Sequence, residues 1–383
     1  MSAPSLTVVF SSDALGGSEL FNIEFLRVAR ERGVAIHAVV PGDGPLHEAL
    51  APLAETIEVV PIPGSLTAMS RFEPRIKLGD LPRRFLGLGT YLARLGRSIA
   101  SLPGAVCSLG FRSQLAVAGI LLPPRPMLWV VHEVVPPGAP AQLWRAASHR
   151  AARIVTLSNA AASQRALRGR GAVVLGAYFD LSRYARIEPT ERIRTIGLVG
   201  DLVELKNHLG AIRLAKRLRA CGKDVSLLLV GRDVSGNVPR SAEYAKRVRA
   251  EVALAKPGVQ LVSSSPEAMP DVMGRIDVLL QLSTVPESFG RVCVEAMAAG
   301  RPVIAYDHGG VSELVDHGRT GFLCPAGDAD AVARALVALI EDPRLCAEMA
   351  RAAQVNALER YSERPGRRST VGDALADFAI ASR

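Results

Sequence analysis

Short apolar runs rich in Val, Ile and Leu alternate along the chain with longer segments whose apolar positions recur at three and four. LTVVFSS (6–12) reads as a buried strand, LGGSE as a turn, and LFNIEFLRVARERG as an amphipathic helix. VAIHAVVPGDG repeats strand and turn, and AVCSL (105–109), MLWVVHE (127–133) and RIVTLS (153–158) are further strands. A second series begins near 193 with IRTIGLVGD, a helix from about 207 to 220, VSLLLVGRD and a helix from about 241 to 255. GVQLV, IDVLLQLS, PVIAYD and TGFLCPAG continue it, each bounded by Gly, Pro, Asp or Ser. Strand, helix, strand alternation predicts parallel sheets with right-handed crossovers. Two such series predict two doubly wound α/β domains, with the boundary around ARIEPTERIR.

Length agrees with that division, because 383 residues exceed what one hydrophobic core normally organises. The expected domains are 1–185 and 186–362, followed by a segment, 363–383, whose apolar spacing in VGDALADFAI reads as a helix. Hydrophobic residues at 49% against 22% charged exclude a disordered chain. An excess of 46 Lys and Arg over 37 Asp and Glu leaves a net charge of +9, which favours phosphorylated ligands, anionic lipid or nucleic acid. Nucleic acid is set aside: the positive charge is dispersed, aromatics are only 5%, and no reader motif is present. Five scattered cysteines without a CxxC pair indicate neither a metal site nor a disulfide framework and fit a reducing cytoplasm. No run of 18 uncharged apolar residues occurs, so the expectation is a soluble, unexported protein. Within 71–100, Phe85, Leu88, Leu92, Leu95 and Ile99 form a stripe interleaved with Arg83, Arg84, Arg94 and Arg97. Such a helix either packs on the sheet or, through 83–100, makes peripheral contact with anionic lipid at the inner face of the cell membrane.

In doubly wound sheets ligands bind beyond the carboxyl ends of the strands, so the post-strand loops carry the candidate chemistry, and two facing domains would make a cleft. LGGSE places glycines, Gly17 among them, before a helix; it suits an anion, or is a turn with Ser18 as N-cap, and it is not GxGxxG. His132 and Glu133 end the strand MLWVVHE, where a histidine serves a hydroxyl or proton transfer, or is structural. In IGLVGDLVELKNH, Gly200 closes a strand and Lys206 follows near a helix start, a position suited to a diphosphate, while Asp201 would repel one. VPESFGRVCVEAMAAG sets Glu287 in a loop and Glu295 on the next helix, with Ser288, Phe289 and Gly290 offering backbone N–H groups between them. That helix is apolar nearly all round, so a polar ligand or partner is expected for Glu295.

ESFGRVCVEAMAAGRPVIAYDHGGVSELVDHGRTGFLCPAGD, supported by LGGSE, VVHE, TLSNAA, DLSRY and LVELKNH, resembles the glutamate, seven residues, glutamate signature of retaining glycosyltransferases of family four, whose fold is GT-B. The resemblance implies a nucleoside-diphosphate sugar bound mainly by the second domain, an acceptor bound mainly by the first, a final helix crossing back to the first, and no metal or cofactor. Glu287 would then contact hydroxyls of the donor sugar and Glu295 the nucleotide ribose. Ser288, Phe289 and Gly290 would supply amides near sugar and phosphates, Lys206 would neutralise the leaving diphosphate, His132 would lie beside the reacting sugar, and Gly17 near the phosphates. Gly200 belongs to the donor set, and Arg232 or Arg291 would stand in for an arginine that relatives carry where this chain has Asp201. The acceptor would be a carbohydrate, a lipid-linked saccharide or a small molecule; a nucleotide-sugar epimerase and a lapsed GT-B binding protein are the alternatives.

Overall fold

The structure, a computed structural model, describes residues 3–63, 81–120, 125–135, 137–234, 239–363 and 370–382, without the side chains of 81–85, 239–240 and 370. Two compact units divide it: Met1–Tyr178 with Arg364–Arg383, and Phe179–Glu363. The division falls before Phe179, a few residues ahead of the boundary expected at 185, because Phe179 is tied into the second unit. Its N–H donates to Tyr361 O (2.9 Å), its carbonyl accepts from Glu363 N (2.8 Å), and its ring lies 6.1 Å from that of Phe289.

The first unit holds β1 (Ser5–Phe10), β2 (Ala35–Val40), β3 (Thr56–Val59), β4 (Ala105–Leu109), β5 (Met127–Val131), β6 (Arg153–Thr156) and β7 (Val173–Val174). They form one parallel sheet in the order β3-β2-β1-β4-β5-β6-β7. Every residue of β4 and β5 is buried, which is why these strands read as nearly continuous apolar runs, with Ser108 the one polar residue: helices cover both faces. Trp129 and Trp144 stack at 5.9 Å in the core, and the Trp144 indole N–H donates to Gln114 Oε1 at 2.8 Å. Gln114 Nε2 donates to Val130 O at 2.9 Å, so this buried amide is satisfied on both sides.

The helix Thr370–Ala381 packs on the helix Gly17–Glu31 of the same unit. Contact there is backbone-close: a Cβ on Gly372 would lie 2.5 Å from Val28 Cβ and 2.8 Å from Phe25 O. Arg32 adds ion pairs to Asp377 (2.9 Å) and Asp373 (3.4 Å). The helix Leu81–Ser101 turns Tyr91, Leu95 and Ile99 into the core and leaves Arg94 and Arg97 exposed. Its apolar stripe is thus largely used for packing, although Leu86 is 72% exposed and Leu88 is 37% exposed. Residues 71–80 and the side chains of Arg83, Arg84 and Phe85 lie outside the described set. Among the described residues no helix is long and apolar enough to cross a membrane.

The second unit holds β8 (Thr195–Val199), β9 (Ser226–Val230), β10 (Val259–Val262), β11 (Val278–Gln281), β12 (Val303–Tyr306) and β13 (Gly321–Cys324). All pair in parallel, in the order β10-β9-β8-β11-β12-β13. In both sheets the order reverses beside the first strand, between β1 and β4 and between β8 and β11. At such a reversal the two flanking crossovers run to opposite sides and leave a crevice at the strands' carboxyl ends.

Candidate functional site

The reversal in the second unit gathers most of the expected donor residues. From the end of β8 the chain passes Gly200 and Asp201 into a short 3-10 turn, Glu204–Lys206, and Asn207 then takes the left-handed conformation (φ 59°, ψ 39°) that starts the helix His208–Ala220. Asparagine tolerates that region better than most residues. The Lys206 stem folds back over Gly200, where a Cβ would sit 3.0–3.1 Å from three of its carbons. A glycine at 200 is therefore what allows this lysine to reach the loop beyond β11.

There, Lys206 Nζ meets Glu287 Oε1 at 2.5 Å, and Ser283 Oγ donates to the same oxygen. The two charged side chains are 25% and 20% exposed. Burial pushes the Glu287 carboxyl up, but the Lys206 charge, its hydrogen bond and that of Ser283 outweigh it and hold the group below its usual 4.5. For Lys206, burial acts downward, and the charges of Glu287 and Asp201 more than offset it, raising the ammonium above 10.5. Both groups are therefore ionised around neutral pH, which removes Glu287 as a general acid.

Two supports fix the Glu287 backbone. Gly310 N–H donates to Glu287 O at 2.7 Å, and Gly309 (φ +70°) approaches so closely that a Cβ would overlap that oxygen and lie 2.8 Å from Glu287 N. His308 Nε2 lies 2.8 Å from Ser283 O. Phe289 is buried against Phe179 (6.1 Å) and Tyr361 (5.9 Å), so its ring anchors the loop. Gly290, at φ +101° and ψ 52°, then caps the helix Arg291–Ala298.

Glu295 on that helix is 8% exposed, and the polar partner expected for it is found among its neighbours. Arg291 Nε donates to Glu295 Oε1 at 2.9 Å one turn away, and the Tyr184 hydroxyl hydrogen-bonds the same carboxylate. Burial and the Glu295 charge push the Tyr184 phenol up. Arg291 also lies over the Phe179 ring, 5.0 Å from its centroid. Arg232, expected to stand in for a missing arginine, grips Asp201 through Nε to Oδ1 (2.9 Å) and Nη2 to Oδ2 (3.3 Å). Sequence reasoning missed Ser283, Tyr184 and His308; Ser283 alone carried a signal, as a hydroxyl just past the end of β11.

The first unit's reversal holds the remaining candidates. The helix Gly17–Glu31 is capped by Gly16, not Ser18: Glu19 Oε2 accepts from Gly16 N (3.1 Å) and from Ser18 Oγ (2.9 Å). Gly17 is the exposed first residue of that helix. After β5, His132 Nε2 lies 2.6 Å from Asn22 Oδ1, which only accepts, so Nε2 carries the proton. Phe21 and Phe25 stack near its ring at 6.2 and 6.3 Å, and burial lowers its pKa from 6.5 to about 4. His132 is thus neutral at pH 7 and acts as a hydrogen-bonding group. Glu133 accepts from Phe111 N at 2.8 Å, satisfying a donor at the start of the helix Phe111–Gly119. In TLSNAA, Ser158 Oγ caps a short helix by accepting from Ala161 N. Among the described residues no group of three or more His, Cys, Asp or Glu is arranged to hold a metal ion.

Two parallel doubly wound units with this loop set define a chain of the GT-B fold class. HepE of Anabaena in complex with UDP-glucose superposes with a TM-score of 0.75 at 22% identity, covering 98% of this chain and 99% of that one. Residues 185–356 match the family model of glycosyl transferases group 1. N-acetyl-alpha-D-glucosaminyl L-malate synthase of Bacillus anthracis is 38% identical over 91 residues, 24% of each chain. D-inositol 3-phosphate glycosyltransferase of Streptomyces avermitilis is 42% identical over 104 residues, 27% of this chain and 21% of that protein. These matches span only about a quarter of the relatives' length.

Proposed function

We propose that the protein transfers a glycosyl group from a nucleoside-diphosphate sugar to an acceptor hydroxyl with retention of anomeric configuration and without a bound metal. The observation that carries the reading is the Lys206–Glu287–Ser283 cluster at the strand-order reversal, in a unit whose sequence matches a glycosyltransferase family. A carboxylate accepts about four hydrogen bonds. Lys206 and Ser283 converge on Oε1 of Glu287 and the Gln281 side chain also engages the carboxylate, which leaves about one acceptor position for a hydroxyl of the donor sugar. Lys206 stabilises the charge that develops on the departing diphosphate, aided by amides of Ser288, Phe289 and Gly290 at the helix start.

In the proposed reaction, the bond from the anomeric carbon to the diphosphate oxygen breaks and a bond to the acceptor oxygen forms on the same face. The acceptor proton passes to the departing phosphate, so no side chain need change protonation state. Glu287 positions the sugar, and Glu295, held by Arg291 and Tyr184, presents a fixed acceptor to the ribose. His132, neutral and oriented by Asn22, offers a hydrogen bond to a hydroxyl of a ligand held by the first unit. The relatives' names point to hydroxylated acceptors, from malate and inositol phosphate to phosphatidylinositol and lipopolysaccharide.

Incubation with a panel of nucleotide sugars, with and without such acceptors, tests this. Transfer or slow hydrolysis is expected, and Lys206→Ala or Glu287→Ala reduces it about 100-fold or more; rates untouched by both substitutions contradict the assignment. Contact with anionic lipid is a proposal for the exposed Leu86 and Leu88 with Arg94 and Arg97, and co-sedimentation with anionic vesicles that Leu86→Ser does not weaken would refute it.

A further inference from the structure

Asp201 is the one group of the cluster that a diphosphate-binding role leaves unexplained, since a bare carboxylate repels phosphate. Its surroundings supply a reason. β8 and β9 end alike, in VGD and VGRD, and their register pairs Val199 with Val230. The pairing runs on past the strand ends, with Gly200 N–H donating to Val230 O and Leu202 N–H to Arg232 O, both at 2.9 Å. Gly231 permits this closeness, because a Cβ there would overlap the carbonyl oxygen of Gly200. Arg232 consequently enters from the neighbouring strand at the level of Asp201, and the two-point fork fixes the plane of its guanidinium. The Asp201 charge also contributes to raising Lys206.

We propose that Asp201 is a positioning residue that presents Arg232 as the second cation of a diphosphate clamp shared with Lys206. The arginine is delivered from β9 instead of β8, and the carboxylate orders it before the ligand arrives. A long side chain loses about 2 kcal/mol of rotamer entropy on being fixed, so holding it beforehand strengthens binding. This rests on reading these loops as the nucleotide-sugar site.

The test measures affinity for UDP, GDP and ADP by calorimetry and carries the tightest forward through Lys206→Ala, Arg232→Ala, Asp201→Ala and the exchange Asp201→Arg with Arg232→Asp. Arg232→Ala and Asp201→Ala are each expected to weaken binding about tenfold or more, the scale of a charged hydrogen bond. The exchange is expected to recover affinity to within about threefold, which a loop merely damaged by Asp201→Ala would not do. Tighter binding by Asp201→Ala, or unchanged binding by Arg232→Ala while Lys206→Ala weakens it, overturns the inference and leaves the site reading standing. No binding of any of the three nucleotides, or binding indifferent to Lys206→Ala, overturns both.

Discussion

Removing one member of the Lys206–Glu287 pair exposes how firmly the site is built before any ligand binds. At the observed 2.5 Å, two unit charges attract by about 7 kcal/mol at an effective dielectric of about 20, and by about 2 kcal/mol in bulk water. Partial exposure and desolvation take back much of the larger figure, leaving an expected net coupling of about 2–3 kcal/mol. The shifts agree in sign, since both groups favour their charged forms despite burial. A double-mutant cycle of Lys206→Met, Glu287→Gln and the pair, read by urea unfolding, measures it. Each single change is expected to destabilise by about 3 kcal/mol, with the double change costing clearly less than the sum. Because Glu287 is depressed in the folded state, its contribution is present above the ordinary 4.5 and is lost as pH falls through its lowered value. Because Lys206 is raised, its contribution is present below 10.5 and is lost as pH rises through its higher value. A coupling under about 0.5 kcal/mol, the level of an exposed ion pair, would refute the reasoning.

Three further outcomes follow from particular contacts. Gly309→Val forces a side chain against the Glu287 backbone from a left-handed position, so catalysis is expected to fall about tenfold or more while circular dichroism stays native; full activity would show that Gly309 does not set Glu287. Gly372→Leu pries the helix Thr370–Ala381 from Val28 and Phe25, and proteolysis is expected to remove the last residues faster than in the parent; equal rates would contradict the packing. His208, fully buried with Nε2 3.1 Å from Gly200 O, is lowered by burial to about 4, so folded-state stability is expected to fall between pH 6.5 and 4 by up to about 3 kcal/mol. His132 is lowered over the same window, so His208→Gln is expected to remove about half of the combined slope, and an unchanged acid profile would show that His208 is not a source of it.

The strands were legible because parallel strands covered on both faces demand continuous apolar sequence, as β4 and β5 show. β3 and β7 were not, since Thr56–Val59 is short and largely uncovered and Val173–Val174 is too short and too exposed to leave a pattern. Glu287 and Lys206 were legible as chemistry on post-strand loops. Their direct pairing was not, because it depends on β8 and β11 being neighbours across an order reversal that local sequence does not encode. The partners of Glu295 were only partly legible for a related reason. Burial was visible in its apolar neighbours, whereas Tyr184, distant in sequence, reaches it only through the fold. The Asp201–Arg232 fork, by contrast, lay within reach: two consecutive strands ending in VGD and VGRD place those residues side by side as soon as they are paired in parallel.

The measurement closest to the central claim is the stereochemistry and residue dependence of glycosyl transfer. With the best nucleotide sugar from the panel, proton NMR of the initial product is expected to show the donor's own anomeric configuration, at a rate that Lys206→Ala and Glu287→Ala each depress about 100-fold or more. An inverted product would contradict the retaining mechanism. Transfer indifferent to both substitutions would contradict the site itself.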